Sequence, residues 1–329
     1  MFLVSERQIA TDNMSPFVSV IMPAYNARPY IGEAIRSVLD QDYPNLELIV
    51  VDDGSSDGTA DEARLFGERV RVYERTNGGP AAARNFGLSV AQGELIAFLD
   101  ADDIWLPGKL AAQVSHLQAH PEIGMVFSRF LFWYPEPNGK FAPPRIPKMG
   151  AAASEIVHEH SGWIYCPLLY DSIVTIISVL IRRSVIETVG GFNEQLRTGE
   201  DYDYWLRVSR IVQATKLSKN FACYRIHPQS TTHVSRMVCN EYQVLKKNLQ
   251  KYGLTGPDGS QASSVRIKDR LYRICFNHAY LHYWNGDAST SRKAFADAIS
   301  HVGYRPKAWL YWILALAREL FGIRPNRQF

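Results

Sequence analysis

Cysteine is scarce in this 329-residue chain, and its placement argues against two kinds of structural site. The four cysteines are far apart, and no two of them form a CxxC pair. A disulfide framework or a thiolate zinc site is therefore not expected. The four residues are Cys166, Cys223, Cys239 and Cys275, and this usage fits a reducing compartment.

Long apolar runs and concentrated charge are also missing. No stretch reaches the roughly 18 apolar residues of a membrane-spanning helix. The first residues lack the basic region and apolar core of a secretory signal, so we expect a cytoplasmic protein. The net charge is only +3, without the basic stripe of a nucleic-acid-binding protein, and no nucleic-acid partner is expected.

The order of apolar segments predicts an α/β domain. Buried strands at 18–22, 46–52, 70–74 and 94–100 alternate with helical patterns at 31–39, 59–66, 81–90 and 107–120. Such alternation indicates parallel βαβ units, which bind ligands beyond the carboxyl ends of their strands. A strand (125–134), a proline-rich loop (134–150) and a strand–helix–turn segment (175–192) follow. We expect a flexible leader at 1–16, the α/β domain at 17–235, and a helical extension at 236–329.

The segment LIAFLDADD (95–103) ends a predicted strand in three carboxylates. No basic residue adjoins them in the sequence, so their mutual repulsion needs another explanation. Carboxylates separated by one residue are able to converge on a hard divalent cation, and Asp100 and Asp102 have this spacing. The alternative is a solvated acidic turn that precedes the helix near Pro107.

Two other strand ends carry residues suited to a nucleotide. The first strand ends in PAYN (23–26), where Tyr25 offers a ring to stack on a base. The second ends in DDGSSDGT (52–59), where Asp53 offers a hydrogen-bond acceptor, although such a segment is also a common turn with a helix cap. In NGGPAAARNFG (77–87), a helix start and Arg84 suit a diphosphate. The alternative there is a glycine turn with a surface arginine.

A second acidic cluster, TGEDYDYW (198–205), suggests a general base. Glu200, Asp201 and Asp203 repel one another, which raises the pKa of at least one of them. The alternative is a polar helix start with Tyr202 and Trp205 packed in the core. Further along, YRIHPQSTTH (224–233) places Arg225 and His227 in one turn, where a lone histidine is most often structural.

These motifs together resemble the family 2 glycosyltransferases of the GT-A fold. The resemblance rests on three segments and extends from about residue 18 to 233, whereas the helical last third has no comparable signature. The segments are VSVIMPAYNARPYIGEAIRSVLDQDYPNLELIVVDDGSSDGT, NGGPAAARNFGLSVAQGELIAFLDADD and TGEDYDYWLR. The fold class this implies is α/β, a Rossmann-like and mostly parallel sheet flanked by helices, with a nucleotide-binding half (17–103) and an acceptor half (104–235).

The resemblance also implies roles for individual residues. Asp201 matches the family's catalytic base, and Asp100, Ala101 and Asp102 match the DXD element that holds Mg²⁺ or Mn²⁺ on the donor diphosphate. His227 falls in the HPxS turn that contributes to the metal or diphosphate site. The nucleoside pocket and diphosphate site would comprise Pro23, Ala24, Tyr25, Asn26, Asp53 and Arg84. Acceptor-side or supporting residues would be Glu200, Asp103, Trp205 and Arg225.

The implied reaction is a single displacement that inverts the anomeric carbon of a nucleotide sugar. UDP-sugars are the commonest donors in this family, with GDP- and dTDP-sugars as alternatives. The acceptor would be a surface polysaccharide or a lipid-linked saccharide. A sugar-phosphate nucleotidyltransferase is disfavoured because PAYNARPY stands where a glycine-rich loop would follow the first strand. A non-catalytic nucleotide-sugar-binding scaffold is disfavoured because both acidic clusters are intact.

The last helical segment contains ten apolar residues in a row, AWLYWILALA (308–317). Three interpretations remain open at this point: a helix packed on the rest of the chain, a homodimer contact, or a helix lying in a membrane interface. In the last case Trp309, Tyr311 and Trp312 would lie at the lipid headgroups. Lys307, Arg318 and Arg324 would face anionic lipid, and the protein would sit at the inner face of the cell membrane.

Overall fold

The computed structural model describes residues 15–144, 152, 154–227 and 237–322. Most of the predicted leader, part of the proline-rich loop, the segment from Pro228 to Arg236 and Arg324 lie outside these residues. The strands are β1 (Val18–Ala24), β2 (Leu46–Asp52), β3 (Val70–Glu74), β4 (Leu95–Phe98), β5 (Ile104–Trp105), β6 (Ile123–Trp133), β7 (Leu180–Arg182) and β8 (Gln213–Arg225).

Helices cover this sheet and form the end of the described chain. They are α1 (Arg28–Leu39), α2 (Thr59–Arg64), α3 (Pro80–Val90), α4 (Lys109–Ala119), α5 (Tyr165–Tyr170), α6 (Arg183–Val189), α7 (Glu200–Val208), α8 (Asn240–Tyr252), α9 (Ser264–Asn285), α10 (Ala288–His301) and α11 (Pro306–Phe321). The predicted helices of the first 120 residues are all present, with ends that differ by a few residues.

The strands form one sheet in the order β3-β2-β1-β4-β7-β6-β8-β5. Strands β1 to β4 run parallel, as predicted, with Val20 opposite both Leu48 and Ala97. Because their carboxyl ends lie at one edge, the residues that follow β1, β2 and β4 are neighbours in space. Strand β7 pairs antiparallel with β4 and β6, so the second half of the sheet is mixed.

Strand β8, for which the sequence analysis made no prediction, is decisive for the site. It pairs along β6 over most of its length and carries its last residue, Arg225, to the turn that follows β4. Short strand β5 pairs with it antiparallel, which ties that turn to the sheet. Strand β8 therefore delivers residues from late in the chain to the acidic segment LDADD.

Close packing of helix α3 against strand β1 depends on a glycine. A Cβ atom at Gly87 would lie 2.5 Å from Cγ2 of Ile21, well inside van der Waals contact. The helix therefore approaches the strand closely at this point, and it carries Arg84 one turn earlier.

The helices after residue 240 were predicted as a helical pattern and are present. Asp287 caps α10 by accepting a hydrogen bond of 2.6 Å from the amide of Thr290. Phe295 and Tyr311 stack in a small apolar cluster shared by α9, α10 and α11. Across the described ranges, no helix has both the length and the apolar character needed to cross a bilayer.

We expect Gly87→Ala to lower the free energy of unfolding by about 1–3 kcal/mol, because the added methyl group forces helix α3 away from Ile21. Urea denaturation measures this loss. The matched control is Ser89→Ala, an exposed change on the same helix that should stay within about 0.5 kcal/mol of the parent. Equal losses in the two variants would contradict the packing argument.

Candidate active site

The loop after β1 is rigidly held and presents an aromatic ring to solvent. Asn26 has a φ of 48°, the only positive value for a non-glycine residue among those described. Its amide donates to Oγ of Ser55 and its Oδ1 accepts from the amide of Ser56, both at 2.9 Å. These bonds join the β1 and β2 loops and leave Tyr25 57% exposed. Tyr25 is therefore placed to stack on a ligand.

Asp53 organises the glycine loop beside these strand ends. Its buried carboxylate accepts hydrogen bonds from the amides of Gly78 and Gly79, the shortest of them 2.6 Å. Arg75 lies 3.5 Å from the same carboxylate. Gly79 has a φ of 90°, a conformation that glycine adopts without strain. Asp53 thus joins the end of β2 to the start of helix α3, and its contact with a base stays a prediction.

Arg84 joins the two acidic clusters, which are separated by about 100 residues in the sequence. Its two terminal nitrogens lie 2.7 Å from Oδ1 of Asp100 and 2.7 Å from Oε1 of Glu200. The side chain is buried, so the alternative of a surface arginine is wrong. Burial alone would lower the pKa of Arg84, but the two carboxylates more than offset it and keep the guanidinium charged.

Each carboxylate of the DADD turn has its own basic partner in space. Asp100 pairs with Arg84, Oδ2 of Asp102 lies 2.9 Å from Nε2 of His227, and Asp103 accepts from the amide of Arg225 at 2.7 Å. The sequence shows nothing basic beside these residues, and the fold supplies three partners from distant segments. Burial raises the pKa of Asp103 well above its ordinary value, and the neighbouring Asp102 adds to this shift.

Asp102 and His227 form the pair best suited to a divalent metal. The side chain of Asp102 is 34% exposed, and that of Asp100 is 26% exposed, so both reach the open edge of the sheet. No cluster of three or more His, Cys, Asp or Glu residues in the described ranges is arranged as a metal cage. Metals on nucleotide substrates need only one or two protein carboxylates, since phosphate oxygens complete the coordination. The residues present fit that mode of binding.

Arg225 holds the backbone of Asp102 in place. Its buried guanidinium lies 4.0 Å from the ring centre of Trp133 and near the rings of Tyr30 and Phe141. Its Nε donates to the carbonyl of Asp102 at 2.6 Å, and a terminal nitrogen pairs with Glu33. Arg225 therefore holds the DADD turn, and its burial agrees with the supporting role among the two, acceptor-side or supporting, that were expected for it.

The same stack reaches both His227 and the proline-rich loop. The ring of His227 lies 4.7 Å from that of Tyr30, and Phe141 contacts Tyr30 edge-on. Nε1 of Trp133 donates to the carbonyl of Ala142 at 2.8 Å. The described part of the loop is thus anchored beside His227.

Asp201 lies in the first turn of helix α7, directly after the glutamate that binds Arg84. Its Oδ1 accepts from the amide of Tyr202 at 2.7 Å, and the side chain is partly exposed. Burial and the charge of Glu200 raise the pKa of Asp201 to about 7, although Arg84 opposes the shift. A carboxylate with this pKa is well matched to accept a proton near neutral pH.

Several predicted site residues turn out to be buried supports. Trp205 is completely buried beside Tyr204, which agrees with the alternative that it packs in the core. Glu200 and Asp103 are also buried, and they act on their neighbours through Arg84 and Arg225. Pro23, Ala24 and Ala101 are buried at the strand ends, so only their backbones are suited to line a pocket.

Tyr30, Glu33 and Arg75 were missed by the sequence analysis. Tyr30 and Glu33 lie three residues apart on helix α1, so they share a face and meet Arg225 together. That spacing was a visible signal, but their partner lies almost 200 residues away. Arg75 follows strand β3 at the same sheet edge as Asp53, and its place after a predicted strand could have identified it.

Removing the ion pairs of Arg84 should destabilise the fold. We expect Arg84→Met to lower the free energy of unfolding by about 3–5 kcal/mol at pH 7, because it leaves the buried Glu200 and the partly exposed Asp100 without their shared cation. Chemical denaturation gives the value. The control Arg64→Met removes an exposed arginine with two acidic partners and should cost no more than about 1 kcal/mol. Comparable losses of stability in the two variants would contradict a stabilising role for the ion pairs of Arg84.

Comparisons with known proteins identify the relatives of this chain. The model of the family "Glycosyl transferase family 2" matches residues 19–157. The putative teichuronic acid biosynthesis glycosyltransferase TuaG of Bacillus subtilis is 33% identical over 216 residues, which cover 64% of this chain and 76% of TuaG. An uncharacterized glycosyltransferase of Haemophilus influenzae is 35% identical over 207 residues, covering 61% of this chain and 75% of its own.

Solved structures show the same fold at low sequence identity. Residues 1–349 of S. aureus TarS in complex with UDP-GlcNAc give a TM-score of 0.59 at 21% identity, covering 94% of this chain and 89% of that one. The mannosyltransferase PcManGT from Pyrobaculum calidifontis, in complex with GDP-Man and Mn²⁺, gives 0.55 at 21% identity, covering 94% and 88%. These matches confirm the predicted fold class, and the sequence relatives establish that the chain belongs to glycosyltransferase family 2.

Proposed function

We propose that this glycosyltransferase moves a sugar from a nucleotide-sugar donor, with a UDP-sugar favoured, to a hydroxyl group of a saccharide or lipid-linked saccharide, with inversion at the anomeric carbon. The observation that carries the proposal is the Arg84 bridge. It sets Asp201 beside the carboxylates at the carboxyl end of β4. A base and a donor site in one cleft are what a single displacement requires.

The donor would bind across the ends of β1, β2 and β4, in the half of the domain that spans residues 17–103. Tyr25 would stack on the base, and Asn26 and Asp53 would surround the nucleoside. TarS and PcManGT were solved with UDP-GlcNAc and GDP-Man respectively, so a GDP-sugar is the second candidate donor. The family assignment removes the nucleotidyltransferase alternative.

Asp102 and His227, with Asp100 beside them, would hold a divalent metal against the donor diphosphate. Mg²⁺ or Mn²⁺ bound there would stabilise the negative charge that develops on the departing diphosphate. Arg84 adds positive charge at the same end of the sheet but is itself engaged by two carboxylates. We therefore assign it to holding Asp100 in place, rather than to direct contact with phosphate.

Asp201 would act on the acceptor from the half of the domain that spans residues 104–235. Its carboxylate takes the proton of the acceptor hydroxyl as that oxygen attacks the anomeric carbon. The bond from this carbon to the diphosphate oxygen breaks on the opposite face, and the nucleoside diphosphate leaves with the bonding electrons. Attack on one face and departure from the other invert the anomeric carbon in a single displacement, so no second nucleophile is needed.

The acceptor class is supported by the relatives rather than by the site. TuaG is named as a teichuronic acid biosynthesis glycosyltransferase, which fits the proposed role in surface polysaccharide biosynthesis. The described part of the proline-rich loop lies beside His227 and would border the acceptor.

Metal-dependent UDP release from a panel of UDP-sugars tests the donor and the metal site together. We expect release from one donor in Mn²⁺, reduced at least about 100-fold in Asp102→Ala because the exposed member of the metal pair is lost. Asp61→Ala, which changes an exposed aspartate of helix α2, should behave as the parent. If no UDP-sugar turns over but a GDP-sugar does, the assignment of uracil as the nucleobase of the donor is wrong. Metal-independent turnover would overturn the metal site.

The pH dependence of transfer tests the base. Because Asp201 must be ionised to accept a proton and its pKa is raised to about 7, activity should fall about tenfold per pH unit below 7 and level off above it. Asp201→Asn should lose about 10²–10⁴-fold in kcat while binding donor normally. The matched control is Asp203→Asn in the same turn, which should keep both activity and pH profile.

The thermal stability of the same variant checks the cause of the raised pKa. An acid whose pKa is raised on folding destabilises the fold once it ionises, and this cost grows as the pH rises from about 4 to 7. Asp201→Asn should therefore melt at a higher temperature than the parent at pH 8, although it is inactive. A lower melting temperature would contradict the burial of Asp201 and its repulsion by Glu200 as causes of the raised pKa.

A further inference from the structure

Helix α11 exposes an apolar face at the surface of the protein. Its side chains of Trp309, Leu310, Ile313, Leu314, Leu320 and Phe321 are between 38% and 73% exposed. A helix on the surface of a globular protein normally turns polar residues outward. Here Ala308 and Ala315 are buried and Tyr311 and Trp312 pack against the inner cluster, while the six large apolar side chains face solvent.

The charged residues of α11 lie outside this face. Arg318 is engaged with the carbonyls of His282 and Gly286, and Glu319 pairs with Arg292 of helix α10. Lys307 is exposed at the border of the face, close to the ring of Phe276. The apolar strip is therefore free of charged residues and has Lys307 at its border, a pattern similar to that of helices that lie in a membrane interface.

Charge is divided unequally along the chain. Residues 236–329 contain 15 Lys and Arg against 6 Asp and Glu, whereas residues 1–235 contain 21 against 27. The helical extension is thus strongly basic, although the net charge of the whole protein is only +3. A basic segment that carries an exposed apolar strip is attracted to an anionic lipid surface both by charge and by burial of its apolar side chains.

We propose that helix α11 is a docking surface for an anionic lipid bilayer, in which it lies parallel to the membrane plane. Trp309 and Phe321 lie at opposite ends of the strip, so about three and a half turns of helix would be immersed at headgroup depth. The inference does not depend on the donor or acceptor of the enzyme. It places the catalytic domain at a membrane surface without a spanning segment in the described chain.

A second copy of the chain is the alternative occupant, and the observations favour it less. The six side chains expose on the order of 600 Å², below the roughly 800 Å² per partner that a stable dimer interface buries. A dimer through α11 would also bring together two extensions that are both strongly basic. A bilayer carries neither restriction, because it adapts to the strip and has the opposite charge.

Co-sedimentation of the full-length protein with vesicles tests the proposal. We expect binding to vesicles that contain phosphatidylglycerol, weaker binding to pure phosphatidylcholine, and release at high salt. Leu310→Gln with Ile313→Gln should reduce binding at least about tenfold. Lys307→Glu should reduce it about fivefold or more. The matched control is Leu65→Gln with Ile211→Gln, which changes two exposed apolar residues elsewhere and should bind as the parent.

Vesicle binding that survives Leu310→Gln with Ile313→Gln would overturn the proposal, as would absence of binding in the parent. A concentration-dependent dimer that Ile313→Gln abolishes, found together with no vesicle binding, would assign the face to a second copy instead. UDP release should be the same in the parent and in the α11 variants. A failure of the lipid proposal is therefore distinguishable from a failure of the proposed enzymatic function.

Discussion

The ion pairs of Arg84 are the interaction on which the rest of the site depends. A guanidinium buried in the protein has to be paired with carboxylates, because an unpaired charge there costs several kcal/mol. Arg84 finds its partners in Asp100, at the end of strand β4, and Glu200, at the start of helix α7. Since Asp102 lies two residues after Asp100 and Asp201 directly follows Glu200, one side chain links the donor side and the base side of the cleft.

The same principle explains how three aspartates coexist in the DADD turn. Their repulsion is offset by Arg84, by the amide and guanidinium of Arg225, and by His227. Arg225 and His227 come from the end of strand β8, and the aromatic rings around Arg225 hold it in place. The cluster is therefore a compensated network in the protein itself. A metal that joins Asp102 and His227 would add to a site that is already organised.

Asp201 shows why such a network serves catalysis. Burial and Glu200 disfavour its ionised form, and Arg84 limits the effect, so its pKa is raised to about 7. A carboxylate left in water would be too weak a base, and one without any cation nearby would hold its proton through the neutral range. The pKa of the proposed base Asp201 is thus tuned by Arg84, the residue that joins the two halves of the cleft. Keeping Asp201 ionised in this site destabilises the fold.

The sequence by itself determined the parallel βαβ units, the strand ends that carry PAYN, DDGS and DADD, the acidic turn with Asp201, and the family. These features are local, because strand and helix periodicity and turn chemistry depend on neighbouring residues. Only the tertiary structure decided that Arg84 is a buried bridge, that Arg225 and Trp205 are supports, and that the large apolar residues of helix α11 face outward. Each of these depends on a contact between distant segments or on which face of a helix is covered. Residue spacing along the chain contains neither kind of information.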